Sequence, residues 1–477
     1  MKKIFIVILA ACLPSLMIDA KVQLSGIFMD NMVLQQNSDV AIWGTAEPES
    51  QVVITNTWSK SKVKVRSDED GKWFARVATP QAGGPYELTV SDGEELTLKN
   101  ILIGEVWICA GQSNMQMTMN GFEGQPVNGA PELIMTAKPS VPIRPCDVRK
   151  MYSHRPMDEI VSVWYENTPE GVKTASAVAY FFAKKLHEVL DVPVGVINIS
   201  WGGTPIEAWM SPEVLKSQFS SEVSLKHLEA ETGTDPRAPG VLYNGMVHPL
   251  APFTAKGFIW YQGCDNISHF NLYKRLQPAF AQLLRDEWDN QDMGFYFTQI
   301  APFCYDNPDA PNAGYMMWAQ AQTLEMIPHS GMAATHDVGE FACIHPAEKK
   351  TVGDRLAYLA LNNDYGYDAI AVNPPVYQGF EVKDGVAYVR FKGDAMGLGP
   401  IGHNPGGLEI DGFELAGEDK VFPPAKGICV FAQNVIMVKC PEVPDPMAVR
   451  YGMKNWSVAT VFNTYGIPVS PFRSDDW

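Results

Sequence analysis

The sequence predicts an α/β protein: a three-layer core with a mostly parallel sheet between helices, preceded and followed by β-sandwich-like regions. Three observations carry this. From about Ile103 to Asn362, apolar strand-like runs alternate with amphipathic helical ones, the pattern of parallel strands joined by crossover helices. Over 21–102 and 363–477, β-branched and alternating stretches lie between turn signals instead. The chain has 477 residues, 46% hydrophobic and 19% charged, too many for one core, so two or three domains are expected.

Residues 1–20 stand outside that scheme. Lys2 and Lys3 precede an apolar run from Ile4 to Met17, and Ala20 offers a small residue before Lys21. This is the pattern of a signal peptide cleaved near Ala20–Lys21, with a core too short to span a bilayer comfortably. The protein is therefore expected to be exported, to the periplasm or the extracellular space. Leu9-Ala10-Ala11-Cys12 also fits a lipoprotein box. No later segment is apolar enough for a transmembrane helix.

In the front region, Val52–Thr55, Lys62–Val65 and Tyr86–Val90 read as strands between the turns Asp68–Gly71, Gly83–Pro85 and Ser91–Gly93. In the central region, strands are expected at Val106–Cys109, Val194–Ile199, Gly257–Trp260, Phe295–Ile300 and Met332–Thr335. Helices are expected at Thr174–Leu190, Tyr273–Trp288 and Ala347–Leu361. Strands return at Val372–Val382, Ala387–Phe391, Ile428–Phe431 and Val435–Val438.

Net charge is −17 with an isoelectric point near 5.0, which speaks against nucleic-acid binding. Beyond Cys12, the cysteines are 109, 146, 264, 304, 343, 429 and 440. An odd number leaves at least one thiol unpaired in a monomer. No CxxC pair or zinc-spaced His/Cys cluster occurs, so neither a metal nor another cofactor is expected.

Chemistry concentrates where strands end. Val106-Trp-Ile-Cys109 runs into Gly111-Gln-Ser-Asn114, a glycine-led turn that lifts Ser113 to the carboxyl edge of the sheet, where ligands bind in such folds. Ser113 is the candidate nucleophile; the same turn also suits a serine and asparagine capping a helix. His345, in Ile344-His-Pro346, follows the last α/β strand and precedes a helix. That position suits a general base toward the serine, and equally a capping histidine. Gly202-Gly203 after the strand ending at Ile199 leaves backbone N–H groups approachable for an oxyanion, or forms a tight turn. Gln262 and Asn266, after Trp260-Tyr261, offer side-chain amides to the same oxyanion, or bond their own turn. Trp201, Trp209, Trp260 and Tyr261 suit stacking on sugar rings or the core.

These motifs, together with Phe28–Gln36, Trp43-Gly-Thr-Ala46, Gly71-Lys-Trp73, Ser176–Tyr180, Asn244-Gly-Met246, Val449-Arg-Tyr451 and Pro471–Ser474, give the chain its resemblance to the bacterial sialate O-acetylesterases of the SGNH hydrolase superfamily. The resemblance implies an SGNH-type fold over 103–362. It implies a serine esterase in which Ser113 attacks, His345 is the base, and an O-acetylated sialic acid or other glycan is the substrate. Acetylated xylan is the enzymatic alternative, and a glycan-binding protein without activity the alternative of another class. The superfamily's oxyanion donors map onto the Ser113 backbone, Gly202 or Gly203, and an amide of the Gln262–Asn266 turn.

Two positions depart from the family pattern. Cys264 and Cys343 stand where the family carries acids, leaving His345 without its usual carboxylate. Asp337 is expected to supply the acid, with Asp265 or a backbone carbonyl as alternatives. The shared motif positions of Cys264 and Cys343 also suggest a disulfide between them after export. The oligomeric state is left open.

Overall fold

One strand, Glu95–Gly111, organises the molecule. Its first half pairs antiparallel with Gly83–Ser91 in the front region. Its middle pairs parallel with Val33–Gln35, and its last residues pair parallel with Val194–Ser200 and Gly257–Tyr261. The strand therefore runs unbroken through the 102/103 boundary between the front and central regions. Ile101 to Gly111 are all buried, and Gly104 and Glu105 do not interrupt the strand there, the Glu105 carboxylate accepting from the side chains of Gln35, Gln36 and Tyr365.

In this computed structural model, residues 21–230, 235–393, 397–401, 408–430 and 433–477 are described. The leader expected over 1–20, Cys12 included, lies outside the described residues, among which no helix is long and apolar enough to cross a membrane.

The central sheet has the order Ser162–Trp164, Ile143–Val148, Val194–Ser200, Glu95–Gly111, Gly257–Tyr261, Gly294–Thr298, Ser330–Ala333. Only Ser162–Trp164 is antiparallel to its neighbour. The strand ending before Ser113 has the next strands of the chain on one side and later ones on the other. Ser113 thus stands at a topological switch point, where loops diverge and leave a crevice.

Alternation along the strands splits the interior in two. Val106, Ile108, Ala110, Phe258, Trp260 and Phe297 share one core with Phe280 and Leu284 of helix Phe270–Glu287 and Met316 and Met317 of helix Asn312–Thr323. Trp107, Cys109, Val196, Ile259 and Tyr261 share the other with residues of helices Ala177–Leu190 and Lys349–Tyr365. Ser176 caps the first of these by accepting from the Ala179 N–H, and the helix stops at Asp191 in the left-handed region. Glu348 caps the second by accepting from Thr351 N–H, and Gly366 ends it. The two helices touch closely at Gly353, where a Cβ would lie 2.6 Å from that of Phe181.

The strands Ile143–Val148 and Ser162–Trp164 were not expected. Arg144, Pro145 and Asp147 break the apolar pattern of the first. Arg144 is nevertheless buried, and Glu166 at 3.1 Å meets its charge.

The front region divides between a three-stranded sheet (Gln23–Leu24, Asp39–Thr45, Lys72–Ala78) and strands carried by Glu95–Gly111. The C-terminal region is an antiparallel seven-stranded sheet from Val376–Lys383 to Phe472–Arg473 with its own core. Asn455 fixes it to the central region, donating to Asn307 O and accepting from Ala313 N–H, each at 2.8 Å.

Candidate active site

Gly111 ends the long strand with φ 145°, and a Cβ there would meet the Tyr261 carbonyl oxygen at 2.2 Å. Only glycine lets the chain turn so close to the neighbouring strand. Gln112 then locks the turn, donating its N–H to Tyr261 O and accepting the Gly263 N–H at 2.8 Å on its side chain. Ser113 opens the short helix Ser113–Gln116, so its own N–H, at the first helical position, has no partner within the helix.

Ser113 Oγ lies 2.8 Å from His345 Nε2. The other ring nitrogen, Nδ1, lies 2.8 Å from Gln125 Oε1. A carbonyl oxygen only accepts, so Nδ1 carries the proton and Nε2 presents its lone pair to the serine hydroxyl. Gln125 sits on a tight loop closed by reciprocal backbone bonds with Phe122, whose ring packs edge-on against the imidazole at 5.1 Å. Burial, reinforced by the Lys349 ammonium, holds His345 below the usual histidine range.

Asn114 ties the serine turn to the histidine loop. It is buried, donates to Ile344 O at 3.0 Å and accepts from Lys349 Nζ at 2.6 Å. Lys349 is wholly buried, and desolvation brings its pKa down to about 7.

Of the expected oxyanion donors, the structure brings only Gly202 to the serine. A Cβ on Gly202 would stand 3.1 Å from that of Ser113, and its N–H donates to Gln116 Oε1 at 2.7 Å. Gly203 instead turns its carbonyl to Arg237. Gln262 and Asn266 are buried and bonded elsewhere. Gln262 Nε2 donates to Thr204 O and Asn266 Oδ1, and Asn266 donates to Glu207 Oε2. Their amides instead tie this turn to the neighbouring loop, whose buried Thr204 C=O and Ile206 N–H they satisfy.

The expected acid is also placed elsewhere. Both oxygens of Asp337 are 2.7 Å from Arg355, a bidentate pair that leaves His345 to Gln125. Asp265 pairs with Arg237 at 2.9 Å. Cys264 and Cys343 carry free thiols, as do the other five cysteines among the described residues, and Cys343 Sγ donates to His345 O at 3.3 Å. Trp209, Trp260 and Tyr261 are core residues. Trp201 remains half-buried, with Tyr152 edge-on at 6.1 Å and Lys150 over its ring.

Gln116, Gln125 and Lys349 were not singled out in the sequence, and Asn114 was read there only as a possible helix cap, whereas it ties the two loops together. Gln116 had a legible signal, since three residues after Ser113 puts it on the same helical face. Lys349 is polar at the start of an otherwise amphipathic helix, which alone does not foretell burial.

With this geometry in view, comparison with known proteins is decisive. Residues 103–362 match the family described as carbohydrate esterase, sialic acid-specific acetylesterase. The chain belongs to that family. Its members are carboxylic ester hydrolases. A human sialate O-acetylesterase is 30% identical over 389 residues, covering 74% of this chain and 73% of its own length. The mouse sialate O-acetylesterase is 28% identical over 415 residues, covering 74% and 76%. A carbohydrate acetylesterase from Xanthomonas citri superposes with a TM-score of 0.85 at 31% identity, over 96% of this chain and all of that one.

Proposed function

We propose that the protein is an exported serine esterase that removes O-acetyl groups from sialic acids, working in the periplasm or outside the cell. The observation that carries the reading is the 2.8 Å contact between Ser113 Oγ and a neutral His345 Nε2 at the switch point of the sheet. The acetylesterase relatives support the substrate class, and helices on both sheet faces support an SGNH-type three-layer core over 103–362.

His345 takes the Ser113 proton as Oγ attacks the acetyl carbon. The oxyanion accepts from the Ser113 and Gly202 N–H groups. The intermediate collapses, His345 returns the proton to the departing sugar oxygen, and an acetyl-serine remains. Water, deprotonated by the same histidine, then releases acetate and restores Ser113. Gln125 supplies orientation and the correct tautomer without a negative charge, so the imidazolium is stabilised less than by a carboxylate.

Acetate release from acetylated sialic acids and acetylated xylo-oligosaccharides, by wild type and Ser113→Ala, tests this. The expected result is turnover on the sialic acids and a drop of roughly 10⁴–10⁶-fold in kcat in the variant. Preference for xylan would move the substrate assignment. Equal activity in Ser113→Ala would end the serine mechanism, and glycan binding without turnover would make the chain a binding protein.

A further inference from the structure

The oxyanion site described above has two backbone donors, and the side-chain amides offered by the Gln262–Asn266 turn are committed to Thr204, Ile206 and Glu207. One other amide reaches the site. Gln116 Oε1 accepts the Gly202 N–H at 2.7 Å and would lie 3.3 Å from a Cβ on that glycine, whose nearest neighbour is Ser113 Cβ. Gln116 therefore places a carbonyl oxygen where an ester carbonyl oxygen must go to receive the same N–H.

We propose that Gln116 is a catalytic residue of this site: its amide oxygen holds the Gly202 N–H in the free enzyme, and its Nε2 donates to the oxyanion once substrate takes that position. The proposal rests on the serine-esterase reading.

The chemistry follows from the amide's two ends. An arriving ester oxygen displaces Oε1 from Gly202, which leaves the glutamine oxygen without its donor. The displaced amide draws back by about a hydrogen-bond length, and a half-turn about its last side-chain bond faces Nε2 rather than Oε1 toward the new acceptor. That acceptor becomes negatively charged only as the serine adds, so the Nε2 bond is strongest in the transition state, the condition for raising kcat rather than lowering KM. In the free enzyme the Oε1 contact satisfies the Gly202 N–H.

The experiment measures kcat, KM and Tm for the full chain carrying Gln116→Ala, Gln116→Met or Gln116→Glu, on an acetylated sialic acid and on 4-nitrophenyl acetate. The rate of Ser113 labelling by a fluorophosphonate, whose P–O oxygen needs the same donors, is followed in parallel. Loss of one donor is expected to lower kcat by about 10²-fold, the usual effect of such a deletion, with KM within about threefold. Gln116→Glu should fall further, because a carboxylate repels the oxyanion, and labelling should slow in step with kcat.

Unchanged or higher kcat in Gln116→Ala and Gln116→Met, with unimpaired labelling, would overturn the proposal and make Gln116 only a plug. If Gln116→Ala fails to fold, the volume-matched methionine variant decides. Failure of the underlying reading looks different: Ser113→Ala would remain as active as wild type and no serine would be labelled, which overturns both.

Discussion

Arg355 and Lys349 lie on the same helix, both turned inward, and they are treated in opposite ways. Arg355 meets both oxygens of Asp337 at 2.7 Å and donates further to Ala334 O and Gly466 O. Lys349 opens the helix, is wholly buried and donates to a neutral amide oxygen, Asn114 Oδ1. No ion pair joins it to a carboxylate among the described residues. A cation at a helix N-terminus is also opposed by the macrodipole. The carboxylate that the sequence suggests for catalysis is thus invested in fixing the loop after the last strand. The Ser113–His345 corner keeps a cation that disfavours a second positive charge on His345. Charge is matched where the molecule needs rigidity and left unmatched where, in the proposed mechanism, His345 must stay neutral.

The largest effect expected from this contrast is on stability against pH. Lys349 titrates near 7 in the folded protein against 10.5 ordinarily, so between these values the unfolded chain binds the extra proton. Stability from this group therefore rises with pH across that window, and is lost as pH falls through about 7. Lys349→Met removes the contribution. The wild-type-minus-variant stability, from urea unfolding at pH 7 and pH 10, should grow by roughly 3–5 kcal/mol. A flat difference would mean that Lys349 is paired after all.

Arg355→Met tests the other half. It strands the Asp337 carboxylate, mostly buried, and should cost about 3 kcal/mol of unfolding free energy. The kcat of the folded fraction should be unchanged, because Asp337 does not touch His345. A fall in kcat without loss of stability would return Asp337 to the catalytic machinery.

Much of this was legible in the sequence, for physical reasons that also mark where legibility ended. The strand-to-turn change at Ala110-Gly111 and the Ile344-His-Pro346 position located Ser113 and His345, because both obey local backbone rules. The parallel sheet followed from its apolar runs. Asp337, Gln262 and Asn266 were the right residue types in nearby loops, yet Arg355, Thr204 and Glu207 engage them through contacts that no spacing reveals. Gln125 comes from a loop whose only local mark is its glycines, at 121 and 124. The strand Ile143–Val148 was hidden by Arg144, a charge whose partner Glu166 lies on the following segment.

Gln125 sharpens the contrast from the base itself. Gln125→Glu places a carboxylate on Nδ1 and favours the imidazolium. The acidic limb of kcat/KM, expected below pH 6.5 in wild type because burial and Lys349 hold His345 down, should move up by about one unit. Gln125→Ala leaves the tautomer unspecified and should lower kcat by about 10–100-fold. If both variants keep the wild-type profile, the Gln125 contact has no part in setting the base.

The smallest effect is the most discriminating, because Lys349 acts on His345 only through space. Burial is the larger cause of the lowered histidine pKa and the Lys349 charge the smaller. Lys349→Met deletes only the second, so the acidic limb should rise by a few tenths of a unit, far less than with a carboxylate in direct contact. At pH 8 the lysine is largely neutral and the histidine unprotonated in both proteins. The electrostatic influence then vanishes, and any remaining loss of kcat measures the Asn114 strut that Lys349 holds. Lys349→Gln, which can still donate to Asn114 Oδ1, should recover that loss without restoring the limb. A limb that stays put in Lys349→Met, or that Lys349→Gln returns to its wild-type position, would show that the lysine serves Asn114 alone and that burial by itself keeps the base neutral.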